Sequence, residues 1–186
     1  MKRLLARGRS ITVVLLLVAA ALGLVAATQP WGSVELTDGR VLSVAGSELA
    51  GGTTIMALAL AVLALVLPIA GMLWRVLLGV LAVILGAGLV AHVQSTRAGV
   101  SAALDTRVAD ATGIAGSAQG AEIVATVVHG WPVLGIVGGA IAIVAGVWAA
   151  LSARRWPARA TRAARYERTG SGLAWDAMDD GEDPTR

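Results

Sequence analysis

The chain has 186 residues, 56% of them hydrophobic and only 15% charged, with no Phe, no Cys and a formal net charge of +3. A water-soluble domain carries roughly a quarter of its residues as charges, so this composition excludes one and points to lipid as the solvent, in line with a mean hydropathy of +0.76. Without cysteine there is no disulfide scaffold, thiolate metal site or cysteine nucleophile.

In chain order, residues 1–10 are basic (Lys2, Arg3, Arg7, Arg9) and precede an uncharged run over 11–27. A hydrocarbon core of about 30 Å takes about 20 helical residues, and backbone groups in lipid must pair within the segment. The run therefore predicts a first membrane helix. Its 17 apolar residues exceed a secretory h-region of about 7 to 15, so a retained helix is expected and not a signal peptide cleaved before Thr28. Residues 28–54 form a polar connection. Within it Val34 and Leu36 alternate with polar neighbours, Asp38-Gly39 suits a tight turn, and Val41 to Val44 can return as a second strand, which predicts a small β-hairpin.

From Ile55 to Val93 the only charge is Arg75, and 39 residues are almost twice one span. A helical hairpin results, with spans at 55–73 and 76–93, a turn at Trp74-Arg75, and a bend at Pro68, which lacks the amide proton of its turn. Residues 94–132 are small and polar. A turn or two of helix is expected over Ala102 to Ala111, a glycine-rich break at Gly113, Gly116 and Gly120, and flexible spacing overall. Trp31, His129 and Trp131 flank span ends, where amphipathic rings favour the interface. The fourth span covers 133–151. In it Gly135-x-x-x-Gly139 and Ala142-x-x-x-Gly146 put small residues at helical spacing, which serves close helix packing, with homo-oligomer contact as the lesser alternative.

Residues 152–169 are basic. Arg154, Arg155, Trp156, Arg159, Arg162, Arg165 and Tyr166 read as a juxtamembrane helix opening at Pro157 and lying against anionic headgroups. Residues 170–186 form an acidic tail, expected to be disordered alone. Trp175, Asp176, Asp179, Gly181, Glu182, Asp183 and Pro184 make it a candidate docking peptide. Its carboxylates lack the ligand periodicity of an EF-hand.

Lys and Arg collect on cytoplasmic flanks. The span-flanking stretches 1–10 and 152–169 with the 74–75 turn carry eleven, the two long connections three (Arg40, Arg97, Arg107). Both termini are therefore expected in the cytoplasm and both long connections outside, in an all-α four-helix bundle of the cell membrane with an extracellular β-hairpin. The basic residues act as topology signals. No basic face interleaved with aromatics marks a nucleic-acid partner.

The four spans hold no Asp, Glu, Lys or Arg, whereas intramembrane ion coupling or catalysis needs them. No P-loop, HExxH or nucleophile-elbow pattern occurs. No enzyme activity and no cofactor are expected.

The tail Trp175-Asp-Ala-Met-Asp-Asp-Gly-Glu-Asp-Pro-Thr185, with Arg155-Trp156-Pro157, Arg165-Tyr166, Gly46-Ser47-Glu48-Leu49 and Gln29-Pro30-Trp31, resembles the tryptophan-associated transmembrane protein family of actinobacteria. The resemblance implies a small four-span protein of the cell membrane whose gene neighbours tryptophan-biosynthesis genes, and supplies no activity. An accessory or scaffold protein is the first expectation, with the bilayer and an unidentified membrane or cytoplasmic protein as partners. A transporter or exporter subunit for tryptophan or a precursor is the alternative.

Overall fold

The computed structural model describes residues 8–156. Four apolar helices make a bundle: α1 (Gly8–Thr28), α3 (Gly51–Val66), α4 (Met72–Arg97) and α6 (Pro132–Ser152). A cap at one end contains β1 (Pro30–Leu36), β2 (Val41–Ala45), the single turn α2 (Gly46–Leu49), α5 (Val100–Thr112), a 3-10 segment (Gly116–Ala121) and β3 (Ile123–Val128). Chain direction fixes the ends. Because α1 runs into β1 and β3 runs into α6, Gly8 and Ser152 lie at the end away from the sheet.

Around the ring, α6 packs on α1 and on α4, α1 packs on α3, and α3 closes more loosely on α4. Between lipid-like surfaces no hydrophobic drive favours helix contact, so close van der Waals packing of small residues has to supply it. That is visible at the α4–α6 seam. The Gly86 position faces the Gly139 carbonyl oxygen at 2.7 Å, measured to where a Cβ would stand, and Gly79 faces the Gly146 carbonyl at 2.9 Å. Both pairs belong to one antiparallel register with a period of seven residues, two helical turns. On the other side of α6, a Cβ at Gly138 would stand 2.8 Å from the Ala19 carbonyl oxygen of α1, and a Cβ at Gly23 2.9 Å from the Ala57 Cβ of α3. Leu16, Leu60 and Leu89 fill the interior, while Val14, Leu58, Val62, Leu73, Ile84 and Val144 project outward. The apolar exterior is a surface for lipid chains.

Three of these helices, α1, α4 and α6, are long and apolar enough to cross a membrane; α3, at 16 residues, is shorter. The α3–α4 connection differs from the sequence expectation. Pro68 terminates α3 instead of bending it: α3 stops at Val66, a turn follows, and α4 starts at Met72. Trp74 and Arg75 therefore stand in the first turn of α4, and Arg75 is only 6% exposed. The turn is made by Pro68 and Gly71; a charge interrupting an apolar run does not by itself mark a loop. At its other end α4 continues to Arg97, beyond the expected boundary at Val93.

The hairpin between residues 28 and 54 is present as β1 and β2, with Val34 opposite Leu42 and Ser33 opposite Ser43. Gly39 takes φ of +82° in its turn, a region that costs a residue with a Cβ about 1 kcal/mol or more. Asp38 braces the same turn: its carboxylate accepts the Arg40 amide proton at 2.9 Å and the Arg40 Nε–H at 2.6 Å. The amide bond first, and the guanidinium second, hold the Asp38 carboxyl below its ordinary value. Gly39→Ala is expected to lower stability by about 1 kcal/mol, read as a drop in melting temperature in detergent. An unchanged melt would contradict the assigned turn.

The long connection 94–132 is not a flexible spacer. It carries α5, the 3-10 segment and β3, which pairs antiparallel with β1 to make a three-stranded sheet of order β2-β1-β3. Val100, Leu104 and Val108, one turn apart, bury the inner stripe of α5 against the hairpin. Gly32 permits this approach, since a Cβ there would lie 2.8 Å from Val100 Cγ1 and 2.9 Å from Leu104 Cδ1.

Candidate functional site

Polar chemistry among the described residues gathers in the cap. Gln119 is its internal pin: its amide nitrogen donates to the Asp105 carbonyl at 3.0 Å and the Ile114 carbonyl at 2.9 Å, tying the 3-10 segment to α5. Between these elements runs an open groove lined by Asp105, Thr106, Ala109, Gly116, Ser117, Gln119, Gly120 and Ile123. It offers one carboxylate and two hydroxyls. Asp105 is the one ionisable side chain in this lining, and the Thr106 hydroxyl is already engaged, donating to the Ala102 carbonyl at 3.0 Å. Hydrogen bonding to a ligand or partner is the chemistry it can perform. Among the described residues no group of three or more His, Asp or Glu could hold a metal ion.

Cross-links stiffen the cap. Thr37 donates its hydroxyl proton to Glu122 Oε2 at 2.8 Å and its amide proton to the Glu122 carbonyl at 2.9 Å. Arg107 of α5 pairs with Glu48 of α2, both about half exposed; such a surface pair contributes about 0.2–1 kcal/mol. Ser33 Oγ and His129 Nε2 are 3.1 Å apart, so His129 ties the end of β3 to the central strand β1 and is more than an interfacial anchor. Trp131 is exposed at the start of α6.

Trp31 departs from the expected interfacial position. It is fully buried, and its Nε1–H donates to the Ala26 carbonyl at 2.7 Å. In a continuing helix that carbonyl would accept the amide proton four residues on, but residue 30 is proline and has none. The indole supplies the missing donor. A Cβ at Gly46 would meet the Trp31 ring and stand 2.6 Å from the Ala26 oxygen, so α2 closes directly over this joint.

Near the junction of bundle and cap, His92 of α4 turns a buried Nε2 toward Gly52, 2.8 Å from a Cβ placed there. Thr53, fully buried next to Gly52, also has an Oγ1 without a hydrogen-bond partner. His92 is thus partly enclosed by α3 and is not simply a wet imidazole at a helix end.

The expected packing positions all lie on the buried side of α6. A Cβ at Gly135 would approach Val93 at 3.0 Å, one at Gly139 Val90 at 2.6 Å, and one at Gly146 Val83 at 2.9 Å; Ala142 is fully buried beside Gly86. These contacts are within the chain. Of the basic collar, Arg154 is exposed, Arg155 closes the 3-10 turn Ala153–Arg155, and Trp156 is buried. Arg159, Arg162, Arg165 and Tyr166, with the whole tail set Trp175, Asp176, Asp179, Gly181, Glu182, Asp183 and Pro184, lie outside the described residues.

The chain belongs to the tryptophan-associated transmembrane protein family, whose model matches residues 13–185, from the second turn of α1 into the acidic tail. No curated protein and no solved structure matches it.

Proposed function

We propose that this membrane protein is a four-span accessory protein of the cell membrane associated with tryptophan biosynthesis, which holds partner proteins through its cap outside and its Trp175 acidic tail inside, and catalyses no reaction. The observation that carries the reading is the division of the molecule. The bundle is closed by glycine-to-backbone contacts along α4 and α6, while hydrogen-bonding groups with access to solvent collect in the cap. A seam packed at this distance suits a platform and leaves no aqueous path between α4 and α6. The transport reading gains no observation from it; flux of labelled tryptophan above empty vesicles would favour transport.

The fourth crossing rests on connectivity. Helix α3 leaves the cap and α4 returns to it, so α3 has to travel between the ends of its neighbours. Its 16 residues rise about 24 Å, and the Leu67–Gly71 turn adds reach. For orientation, Arg9, Arg75 and Arg154 stand at the end away from the sheet, against Arg40, Arg97 and Arg107 at the cap end. With the basic residues of 1–7 and 157–168, this bias supports an inward-facing collar.

The test uses the full chain in native membranes. Its lack of cysteine makes single substitutions clean reporters: Ser117→Cys is expected to react with an impermeant maleimide in intact cells and Ser10→Cys only after permeabilisation. The reverse pattern would invert the topology. Affinity capture with and without residues 173–186 should show a co-purifying protein lost on deletion; identical capture by both forms would sink the tail as the docking element.

A further inference from the structure

We propose that β3 is a pairing edge through which two copies of this chain associate, antiparallel, about a two-fold axis passing through Val127. The strand is terminal in the sheet. Hydrogen bonding in an antiparallel ladder alternates, and the alternation here is fixed at the end of the strand: the His129 amide proton goes to the Trp31 carbonyl at 2.8 Å. With Val127 opposite Ser33 and Ala125 opposite Glu35 in the same register, residues 125, 127 and 129 point their backbone groups at β1. Thr126 and Val128 point theirs off the sheet. A register shift between Glu35 and Leu36 ends the regular edge before Val124.

Edge strands normally carry a charge or proline that discourages further pairing. From Ile123 to Val128 there is neither, and four of the six residues are β-branched valine or isoleucine. Val127 is 49% and Val128 64% exposed. The two outward residues suit a second copy of themselves. If Thr126 faces Val128 of the copy and Val128 faces Thr126, each pair exchanges two hydrogen bonds, and Val127 meets its counterpart in the close, non-hydrogen-bonded position at about 4.5 Å between Cα atoms.

The occupant follows from the setting. The described bundle helices begin at Gly8 and end at Ser152, both at the end away from β3. A membrane holds all copies at one depth and one orientation, which brings each β3 to the height of another. The strand has no charge to select a foreign partner and no like charges to oppose itself.

The chain's lack of cysteine permits a direct reading in native membranes under mild oxidation. Non-hydrogen-bonded neighbours fall within disulfide reach, so Val127→Cys is expected to convert more than half of the protein to a disulfide-linked homodimer. Thr126→Cys and Val128→Cys, each off the axis, should give several-fold less alone and should cross-link when the two variants are co-expressed. Thr126→Pro, which removes an outward amide proton without touching the β1 ladder, should reduce the Val127→Cys dimer several-fold while the monomer stays folded. A Val127→Cys chain that is labelled by maleimide yet remains monomeric overturns the proposal. So do equal cross-linking at all three positions, which signals random collision, and a Val127→Cys disulfide to a different protein. If Val127→Cys itself fails to accumulate, the co-expressed Thr126→Cys and Val128→Cys pair decides in the same way.

Discussion

Gly139→Leu is expected to destabilise the bundle by about 3 kcal/mol, the upper part of the range for forcing extra methylenes into a packed interior. The reason is what a side chain at that position would meet. A Cβ alone would stand 2.6 Å from Val90 Cγ2, 2.7 Å from the Gly86 carbonyl oxygen and 3.3 Å from the Val90 amide nitrogen. A valine methyl can rotate; two helix backbones can make room only by separating. Separation of α4 from α6 opens the seam at Gly79 and Gly146 as well, because both pairs share one register, and in lipid no hydrophobic term offsets the lost contact. Gly86→Ala should fall in the same class at about 1–3 kcal/mol, since its Cβ would lie 2.7 Å from the Gly139 oxygen and 3.0 Å from the Ala142 Cβ. The control is Gly88, two residues along α4, where the nearest atoms are the Met56 Cε and Sδ at 3.7 Å. There alanine meets ordinary contact and gains helix propensity of up to about 1 kcal/mol, so Gly88→Ala is expected to be neutral or mildly stabilising. Unfolding in mixed micelles with increasing SDS measures all three. Equal effects at Gly86 and Gly88 would show that helix propensity, and not the seam, governs the response.

The long apolar helices α1, α4 and α6 were legible because absence of charge over about 20 residues has few meanings in a folded protein. The hairpin was legible because Val34, Leu36 and Val41 to Val44 alternate around Asp38-Gly39, which turns with the positive φ that glycine supplies. The small-residue spacing of Gly135, Gly139 and Gly146 was visible too, but its partner was not. Which helix receives α6 depends on the ring order, and nothing local encodes that order. The 94–132 segment departs from its expected spacer character for a related reason. Its Ala, Gly and Ser content resembles a spacer, yet Val100, Leu104 and Val108 repeat every four residues, and Ile123 to Val128 is a β-branched run bounded by Gly120 and Gly130. Both signals were present, outweighed by composition. Arg75 is conspicuous as a charge in an apolar run, yet Pro68 and Gly71, which end α3 and precede α4, are the stronger punctuation.

Trp31→Ala is expected to cost about 3–5 kcal/mol, the range for truncating a buried aromatic ring, and Trp31→Phe is expected to recover only part of it. The two substitutions separate two contributions. Alanine leaves a cavity beneath α2 and abandons the Ala26 carbonyl; phenylalanine fills most of the volume but still cannot donate a proton. The difference between wild type and Trp31→Phe therefore isolates the indole hydrogen bond. For a buried carbonyl left without a donor, that difference should be about 1–3 kcal/mol. The acceptor is orphaned by sequence and not by accident of packing, because Pro30 stands where the next helical donor would be. This gives a reciprocal test at the other partner. In a Pro30→Ala chain the residue 30 amide can reach toward Ala26, so Trp31→Phe should cost less in that background than in the native one. Such a gap marks two donors competing for one acceptor. Additive costs in the two backgrounds would mean that the tryptophan holds the joint by volume alone. The readout can be the intrinsic fluorescence of the chain together with the detergent melt, since Trp31 is fully buried and its loss removes a shielded emitter. Because this joint fixes the angle at which α1 hands the chain to β1, loosening it should also weaken the Ser33–His129 link and the antiparallel pairing of β3. Trp31→Phe is accordingly expected to lower the yield of the Val127→Cys dimer while α4 and α6 stay packed.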